Sequence, residues 1–510
     1  IMTIPKTFKW VETDESELNK LSYDEKRKFL KREEINIRQS IGEAVPTEIF
    51  RQIALNIKDN LNRRNYSLRE INKLIKDNNL LDNGNLNDFI KNNKNELSFT
   101  TLSKIAELSN AERNDEEAFY TNKKLLNYIY KELPNINKKQ IRVLEPSVGV
   151  GNFIPYIISK YSYAEKLIID VVDINKYSIG VLKELLKIID IPQNVTINYI
   201  CDDFLLHDFS DRYDVVTGNP PFMKMNSKNK LLGKYKENCI NDESNNTSSY
   251  FLEKSLQISD NVVMVMPKFL LNTSEYEKTR KYISTLNINS IIDFGEKGFE
   301  GVLIETICIN INTCNKPNKT KVYSLTLKQE INQKQNYIID KKLPYWIIYR
   351  NEEFDNLLNK MDFNIFDVFR DRQITNSNSS KSIKDIWIIK SRNINDDATE
   401  INHINDYDQY ITEDAIKNYN VYEYLNDKNV YITPNMTYKP RVCKKPVGTI
   451  VNGSVAILIP KNNVKLTKKD MLFYSTDEYR NFYKIARNYQ TRSLNIDKTS
   501  VFFFGKLKEA

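Results

Sequence analysis

Histidine, cysteine, glycine and proline are all scarce in this chain of 510 residues, and each scarcity closes off a class of function. Only His207 and His403 are present, and neither lies in a metal-ligand or catalytic-triad pattern, which argues against histidine-centred acid–base chemistry. The five cysteines (Cys201, Cys239, Cys308, Cys314 and Cys443) contain no C-x-x-C pair. Neither a disulfide framework nor a zinc knuckle is therefore expected, no metal is called for, and a reducing cytoplasm fits. With 13 Gly and 15 Pro the chain is not of the low-complexity kind. No apolar run reaches membrane-spanning length, and residues 1–20 are polar and acidic, unlike a secretion signal.

What is present describes a soluble globular protein of two or three domains, with 40% hydrophobic and 28% charged residues. The net charge of +8 permits a polyanionic partner without demanding one. Residues 1–110 read as helical and charged, with heptad-like apolar spacing in EIFRQIALNIKDNL (48–61). From 142 to about 312 short β-branched runs alternate with amphipathic stretches: RVLEP (142–146), KLIIDVVDI (166–174), VTINYIC (195–201), YDVVTGNPP (213–221), NVVMVMP (261–267), SIIDFG (290–295) and ETICININ (305–312). Seven strands with intervening helices such as 175–190 give the arithmetic of an α/β crossover sheet. Past about 325 the regularity is lost and Tyr, Asn, Lys and Arg dominate. The expected division is 1–110, 111–325 and 326–510.

The first run ends in Glu145-Pro146-Ser147-Val148-Gly149-Val150-Gly151-Asn152-Phe153, a G-x-G turn where a strand hands over to a helix. Such a turn lets backbone approach a ligand, although most G-x-G pairs are only tight turns. Asp173 ends the second run, 22 residues past Gly151 (173 − 151), where an acid can accept hydrogen bonds from ribose hydroxyls or simply cap a surface turn. After the third run, Asp203 can bind an adenine amine with Phe204 on the ring; the alternative is a helix cap followed by a core Phe. Three such features at successive strand ends point to a nucleoside-bearing cofactor.

The fourth run leads into Gly218-Asn219-Pro220-Pro221-Phe222. Here the chain resembles the N6-adenine DNA methyltransferases of the gamma group, in which the cofactor motifs precede the recognition region. EPSVGVGNF, VVDIN (with Asp173 and Ile174), DDFL and NPPF resemble their first four motifs, and FEGVLIETI (299–307) resembles the eighth. AFYTNKKLLNYI (118–129) resembles the segment that closes over the methionine end of the cofactor, which implies cofactor contacts from Phe119, Tyr120 and Thr121. The resemblance implies a Rossmann-like class I methyltransferase sheet of seven strands with the last antiparallel, a helical N-terminal region, and a mixed α+β target-recognition domain. It implies S-adenosylmethionine as cofactor and duplex DNA as substrate.

The chemistry explains these residue types. An adenine amine is a poor nucleophile because its lone pair is delocalised, and the Asn219 side-chain carbonyl with the Pro220 main-chain carbonyl can hold both N6 hydrogens as it attacks. Pro220 and Pro221 stiffen the backbone that aims them. Phe222 can then stack on the base, which must leave the duplex to reach such a pocket. The resemblance gives Phe299 a second contact with that base; the alternative is core packing ahead of 305–312. Cytosine-5 chemistry is excluded because no cysteine follows a proline, although RQSIGEAVPTEIF (38–50) resembles the terminal motif of cytosine-5 methyltransferases. That likeness suggests kinship with the adenine methyltransferases of type II restriction-modification systems, type IIS among them, which often have a cytosine-5 companion.

Residues 223–236 hold Lys224, Lys228, Lys230, Lys234 and Lys236 and no acid, suited either to phosphates beside the extruded base or to a solvated loop. Beyond 325, segments 369–380, 433–446 and 487–495 offer Lys439, Arg441, Lys444, Lys445, Arg487, Gln490, Arg492 and Asn495 for phosphates and base edges, or as plain surface. No nuclease motif is visible, so cleavage falls to a separate cognate endonuclease. The competing readings are an RNA or protein-glutamine methyltransferase, which shares N-P-P-[FY], and a modification subunit active only in a larger restriction complex.

Overall fold

A computed structural model describes residues 20–43, 66–94, 96–110, 123–296, 304–437, 439–490 and 495–508. Among the described residues four helices come first, α1 (Tyr23–Glu43), α2 (Leu68–Asp77), α3 (Asn83–Asn93) and α4 (Phe99–Ser109), followed by α5 (Lys123–Glu132). Ser67, Asp82 and Ser98 start α2, α3 and α4 by accepting hydrogen bonds from backbone N–H groups that have no intrahelical partner. The heptad-like stretch 48–61, residues 44–50 of the cytosine-5-like motif, Phe119, Tyr120, Thr121, Phe299 and Arg492 lie outside the described residues.

All seven expected runs form strands: β1 (Gln140–Glu145), β2 (Lys166–Asp173), β3 (Val195–Cys201), β4 (Val215–Gly218), β5 (Asn261–Pro267), β6 (Asn287–Gly295) and β7 (Thr306–Asn312). Helices α6 (Ile154–Tyr161), α7 (Lys176–Leu186), α8 (Lys230–Glu237) and α9 (Thr247–Ile258) lie between them. Two unexpected strands, β8 (Lys319–Ser324) and β9 (Gln329–Lys334), carry the sheet past residue 325 to nine strands in the order β3-β2-β1-β4-β5-β7-β6-β8-β9. β7 runs antiparallel to both β5 and β6. The architecture is α/β, with the seventh strand antiparallel as the resemblance implied.

Parallel strands at the centre of such a sheet are covered on both faces, which is why all of β4 is buried and β5 carries the apolar run Val262–Met266. One face packs Val143, Ile154, Leu182 and Val263. The other packs Leu144, Val172, Val216 and Met264, and that core continues without a break into Trp346, Phe354 and Phe503. Ile71, Ile90 and Leu102 of α2 to α4 form a smaller cluster against Val181 and Leu185 of α7. Beyond β9 the chain is mixed: a four-stranded sheet includes Phe366–Arg370 and Val455–Pro460, and a three-stranded one includes Ile386–Ile389 and Thr449–Val451. Among the described residues no helix is long and apolar enough to cross a membrane, and no group of three or more His, Cys, Asp or Glu is placed to hold a metal.

The sheet order decides where a ligand fits. β1 has β2 on one side and β4 on the other, so the winding reverses between β1 and β4 and leaves a crevice beyond their carboxyl ends. Glu145 ends β1 and Gly218 ends β4, which sets the two main sequence motifs side by side.

Candidate active site

The glycine turn is built by two backbone requirements. Gly149 and Gly151 have φ of +50° and +79°, in the left-handed region that side chains disfavour. A Cβ on Gly151 would also meet Leu182 Cδ1 at 2.3 Å, so α7 packs directly on the turn. The Gly149 N–H donates to Asp173 Oδ2 at 2.8 Å, and the Asn175 N–H donates to Oδ1 at 2.8 Å. Both carboxylate oxygens of Asp173 are thereby oriented with lone pairs to spare.

The corner after β4 is tethered through its main-chain carbonyls. Ser147 Oγ donates to the Asn219 carbonyl at 3.1 Å, Thr247 Oγ1 to the Pro221 carbonyl at 2.8 Å, and Asn246 Nδ2 to the Phe222 carbonyl at 2.8 Å. Asn246 also caps α9, so the start of a buried helix anchors the corner. A Cβ on Gly218 would come within 3.2 Å of Pro146 Cδ, so the end of β4 and the turn after β1 approach closely.

Turn and corner share one cavity of about 390 Å³, within the range of small-molecule sites. Glu145, Pro146, Ser147, Gly149, Phe153 and Asp173 line it, as do Ile174, Asp203, Phe204, Asn219 and Pro221. Gly151 shapes the turn from behind. Ile174, 64% exposed, leaves an apolar side chain at the mouth. Phe204 stacks on Phe251 at 5.0 Å. Pro220 and Phe222 are not brought to the wall: both are buried, and Phe222, 2% exposed, packs into the core beneath. Phe222 as drawn from the sequence, stacking on a base, is not the arrangement seen here, because its ring is already spent on core contacts.

The electrostatics are one-sided. Among the described residues lining the cavity are Glu107, Glu145, Asp173, Asp202 and Asp203, and no lysine, arginine or histidine. Glu145 is 1% exposed, and its Oε2 has no hydrogen-bond partner among the described residues. Burial first, then the neighbouring Asp173, pushes its carboxyl well above the ordinary carboxylate range. Burial likewise raises Asp173, opposed by the N–H groups of Asn175 and Gly149.

Several lining residues had no motif to mark them. Ala106, Glu107 and Asn110 bring the N-terminal helical layer to the cavity, with Asn152 Nδ2 donating to Glu107 Oε2 at 3.2 Å. Met223, Met225, Asn229, Leu231 and Tyr235 come from the lysine-rich segment. The only signal in that stretch is its apolar and aromatic residues set between the lysines.

The basic residues divide sharply. Lys224, Lys228, Lys230, Lys439 and Lys444 are exposed, Lys224 lying 4.0 Å from Glu275 and Lys439 3.6 Å from Asp396. Lys445 is 2% exposed and its Nζ donates to the carbonyls of Leu425, Pro446 and Thr449 at 3.1, 2.8 and 2.8 Å, which corrects its reading as a DNA contact. Arg487 is corrected likewise: it is buried, its cation lies 5.9 Å from the Tyr483 ring, and it donates to the Asn495 carbonyl at 3.4 Å. Arg441 is mostly internal, donating to the carbonyls of Ile394, Lys439 and Ser391. Gln490 and Asn495 accept from Asn272 and Asn435 and so hold loops together.

Residues 156–299 match the sequence family described as Eco57I restriction-modification methylase. A curated protein of Acinetobacter calcoaceticus, Type II methyltransferase M.AccI, is 27% identical over 219 residues, 40% of this chain and 39% of that one. The chain thus spans well under half the length of the curated relative it matches. Among solved structures, the type IIG restriction endonuclease BpuSI covers 81% of this chain and 61% of its own at 11% identity and a TM-score of 0.43. A type I restriction-modification system methyltransferase subunit from Streptococcus thermophilus covers 46% and 54% at 14% identity and a TM-score of 0.36.

Proposed function

We propose that this chain is an S-adenosylmethionine-dependent DNA methyltransferase that modifies the exocyclic N6 amine of adenine within a short duplex sequence. The observation that carries the reading is that Asn219 stands on the wall of the same acid-lined cavity that the glycine turn and Asp173 build. A nucleotide cofactor bearing phosphates would meet repulsion from those carboxylates, whereas a cationic nucleoside is attracted.

The donor set fits the cofactor residue by residue. Asp173 offers lone pairs to ribose hydroxyls, and Asp203 to an adenine amine. The unpartnered Glu145 Oε2 suits a cationic donor. When bound, S-adenosylmethionine supplies a methyl group on a positively charged sulfur, so no covalent enzyme intermediate is required.

The protein's own part is positioning. The Asn219 amide and the Pro220 carbonyl accept the two amine hydrogens, and the three tethers of the 219–222 corner keep those acceptors from relaxing. Asn219 reaches the cavity directly, Pro220 contributes only through its main-chain carbonyl, and Phe222 supports the corner from the core beneath it. Exposed lysines of 223–236 face the phosphates flanking the extruded base. The central sheet, which runs on through β9, is assigned to catalysis, the region beyond it to target recognition, and cleavage to a cognate endonuclease, with a companion cytosine methyltransferase.

The test is incubation with methyl-labelled cofactor and mixed-sequence duplex DNA, followed by digestion to nucleosides. Label in N6-methyladenine is the expected result. Label found only in RNA or protein would overturn the proposal.

A further inference from the structure

The segment between the catalytic corner and α9 has two faces. Met223, Met225, Asn229, Leu231 and Tyr235 line the cavity. Lys224, Lys228, Lys230 and Lys234 point outward and are exposed, with no acid anywhere in 223–236. One short stretch is therefore both a wall for the cofactor and a basic surface.

Leu232 anchors it in the core and Lys236 Nζ donates to Asn245 Oδ1 at 3.2 Å, and further bonds hold its two ends. At its start the Met225 N–H donates to the Asn245 carbonyl at 2.9 Å and the Thr247 N–H to the Met223 carbonyl at 3.0 Å. At its end the Tyr235 hydroxyl donates to Asp203 Oδ2 at 2.6 Å. Burial and this bond with Asp203 both push the Tyr235 phenol upward, so it remains a donor at any working pH. Asp203 Oδ1 meanwhile accepts from the Leu205 N–H at 2.9 Å, which leaves the carboxylate rigid.

We propose that Tyr235 is a positioning residue that couples cofactor occupancy to phosphate binding, through the hydrogen bond that ties the lysine-bearing segment to Asp203. This rests on the methyltransferase reading, in which Asp203 receives the cofactor's adenine amine. A carboxylate oxygen accepts more than one hydrogen bond, so a bound adenine and Tyr235 share Asp203. A bound cofactor would also pack against Met225 and Leu231, which line the same cavity. Both effects favour the fastened arrangement of the segment, and a ligand that prefers one arrangement shifts the population toward it. The lysines are then presented in fixed register, and the coupling is reciprocal.

The experiment compares the full chain with Tyr235→Phe, which removes one oxygen and keeps the ring. Duplex affinity is measured with a labelled mixed-sequence duplex, with and without saturating S-adenosylhomocysteine. In the unaltered protein the nucleoside should tighten duplex binding by about 5-fold or more. In Tyr235→Phe that ratio should fall to near one, with affinity for duplex alone little changed. As a second readout, the nucleoside should slow tryptic cleavage after Lys228, Lys230 and Lys234 in the unaltered protein and much less in the variant. A misfolded variant would instead be cut throughout the chain. An unchanged ratio in Tyr235→Phe, or no ratio in the unaltered protein, overturns the inference alone. Failure of the unaltered protein to bind either ligand overturns the methyltransferase reading and takes the inference with it.

Discussion

Ser147 donates its hydroxyl proton to the main-chain carbonyl of Asn219 at 3.1 Å, so the turn expected to hold the cofactor directly supports the corner expected to hold the base. A shift in one is transmitted to the other through a single hydrogen bond. Ser147→Ala removes that bond while leaving the lining of the cavity nearly intact. A hydrogen bond of this kind contributes about 0.5–1.5 kcal/mol, which is roughly 2- to 13-fold if lost mainly in the transition state. Single-turnover methyl transfer should slow by that factor with the cofactor's Kd nearly unchanged. A loss confined to cofactor affinity would show that Ser147 serves the cofactor alone.

Asn219 and Asp173 should separate chemistry from binding. In the proposed reading Asn219→Ala deletes the acceptor of the reacting amine, and loss of one preorganised group of this kind should lower turnover by about 100-fold or more. Calorimetry should find its cofactor affinity largely kept. Asp173→Ala removes the acceptor of the Gly149 and Asn175 N–H groups and, in the proposed reading, of the ribose. Charge-assisted bonds contribute about 1.5–3 kcal/mol each, so its cofactor Kd should rise by about tenfold or more. The opposite pattern would exchange the two roles.

The central sheet was legible because its strands are buried: β5 reads NVVMVMP since both faces must be apolar. The last two strands, β8 and β9, were not. β9 is QEINQK, an edge strand with water on one side, and its polarity hides it among loops. The cavity was legible only where a motif supplied local geometry, as at Gly149 and Asn219. Tyr235 escaped because its partner Asp203 is 32 residues away and joined only by the fold. Lys445 and Arg487 misled for the complementary reason. A charge in a sequence implies solvent unless carbonyls close around it, and those carbonyls come from Leu425 and Thr449 in one case and Asn495 in the other.

Glu145 should make cofactor binding pH-dependent. Its carboxyl titrates well above the ordinary range because it is buried and beside Asp173, yet a cationic ligand favours the ionised form. Binding should therefore release a proton, and affinity should fall as pH drops through the raised value. Titrations in buffers of different ionisation enthalpy read this directly. Without ligand the native state holds more protons than the unfolded chain between the ordinary carboxylate value and the raised one. Stability should accordingly decline as pH rises across that window, and Glu145→Gln should flatten both trends. Equal proton release by Glu145→Gln would assign the effect to another group.

Lys445 and Lys228 look alike in a sequence and should behave as opposites. Lys445→Met leaves the carbonyls of Leu425, Pro446 and Thr449 short of a donor. Each buried group so stranded costs about 1–3 kcal/mol, and the melting temperature should drop accordingly. Burial holds the Lys445 ammonium down to about 8, against about 10.4 in an unfolded chain. The unfolded state therefore binds more protons between those values, so stability should gain with rising pH there, and Lys445→Met should lose that slope. Duplex binding by Lys445→Met should keep the parent's salt dependence. Lys228→Ala should melt like the parent but lose about 0.9 from the slope of log affinity against log salt, the signature of one phosphate contact removed. A salt slope that changes in Lys445→Met and not in Lys228→Ala would reverse the assignment of which lysine meets DNA.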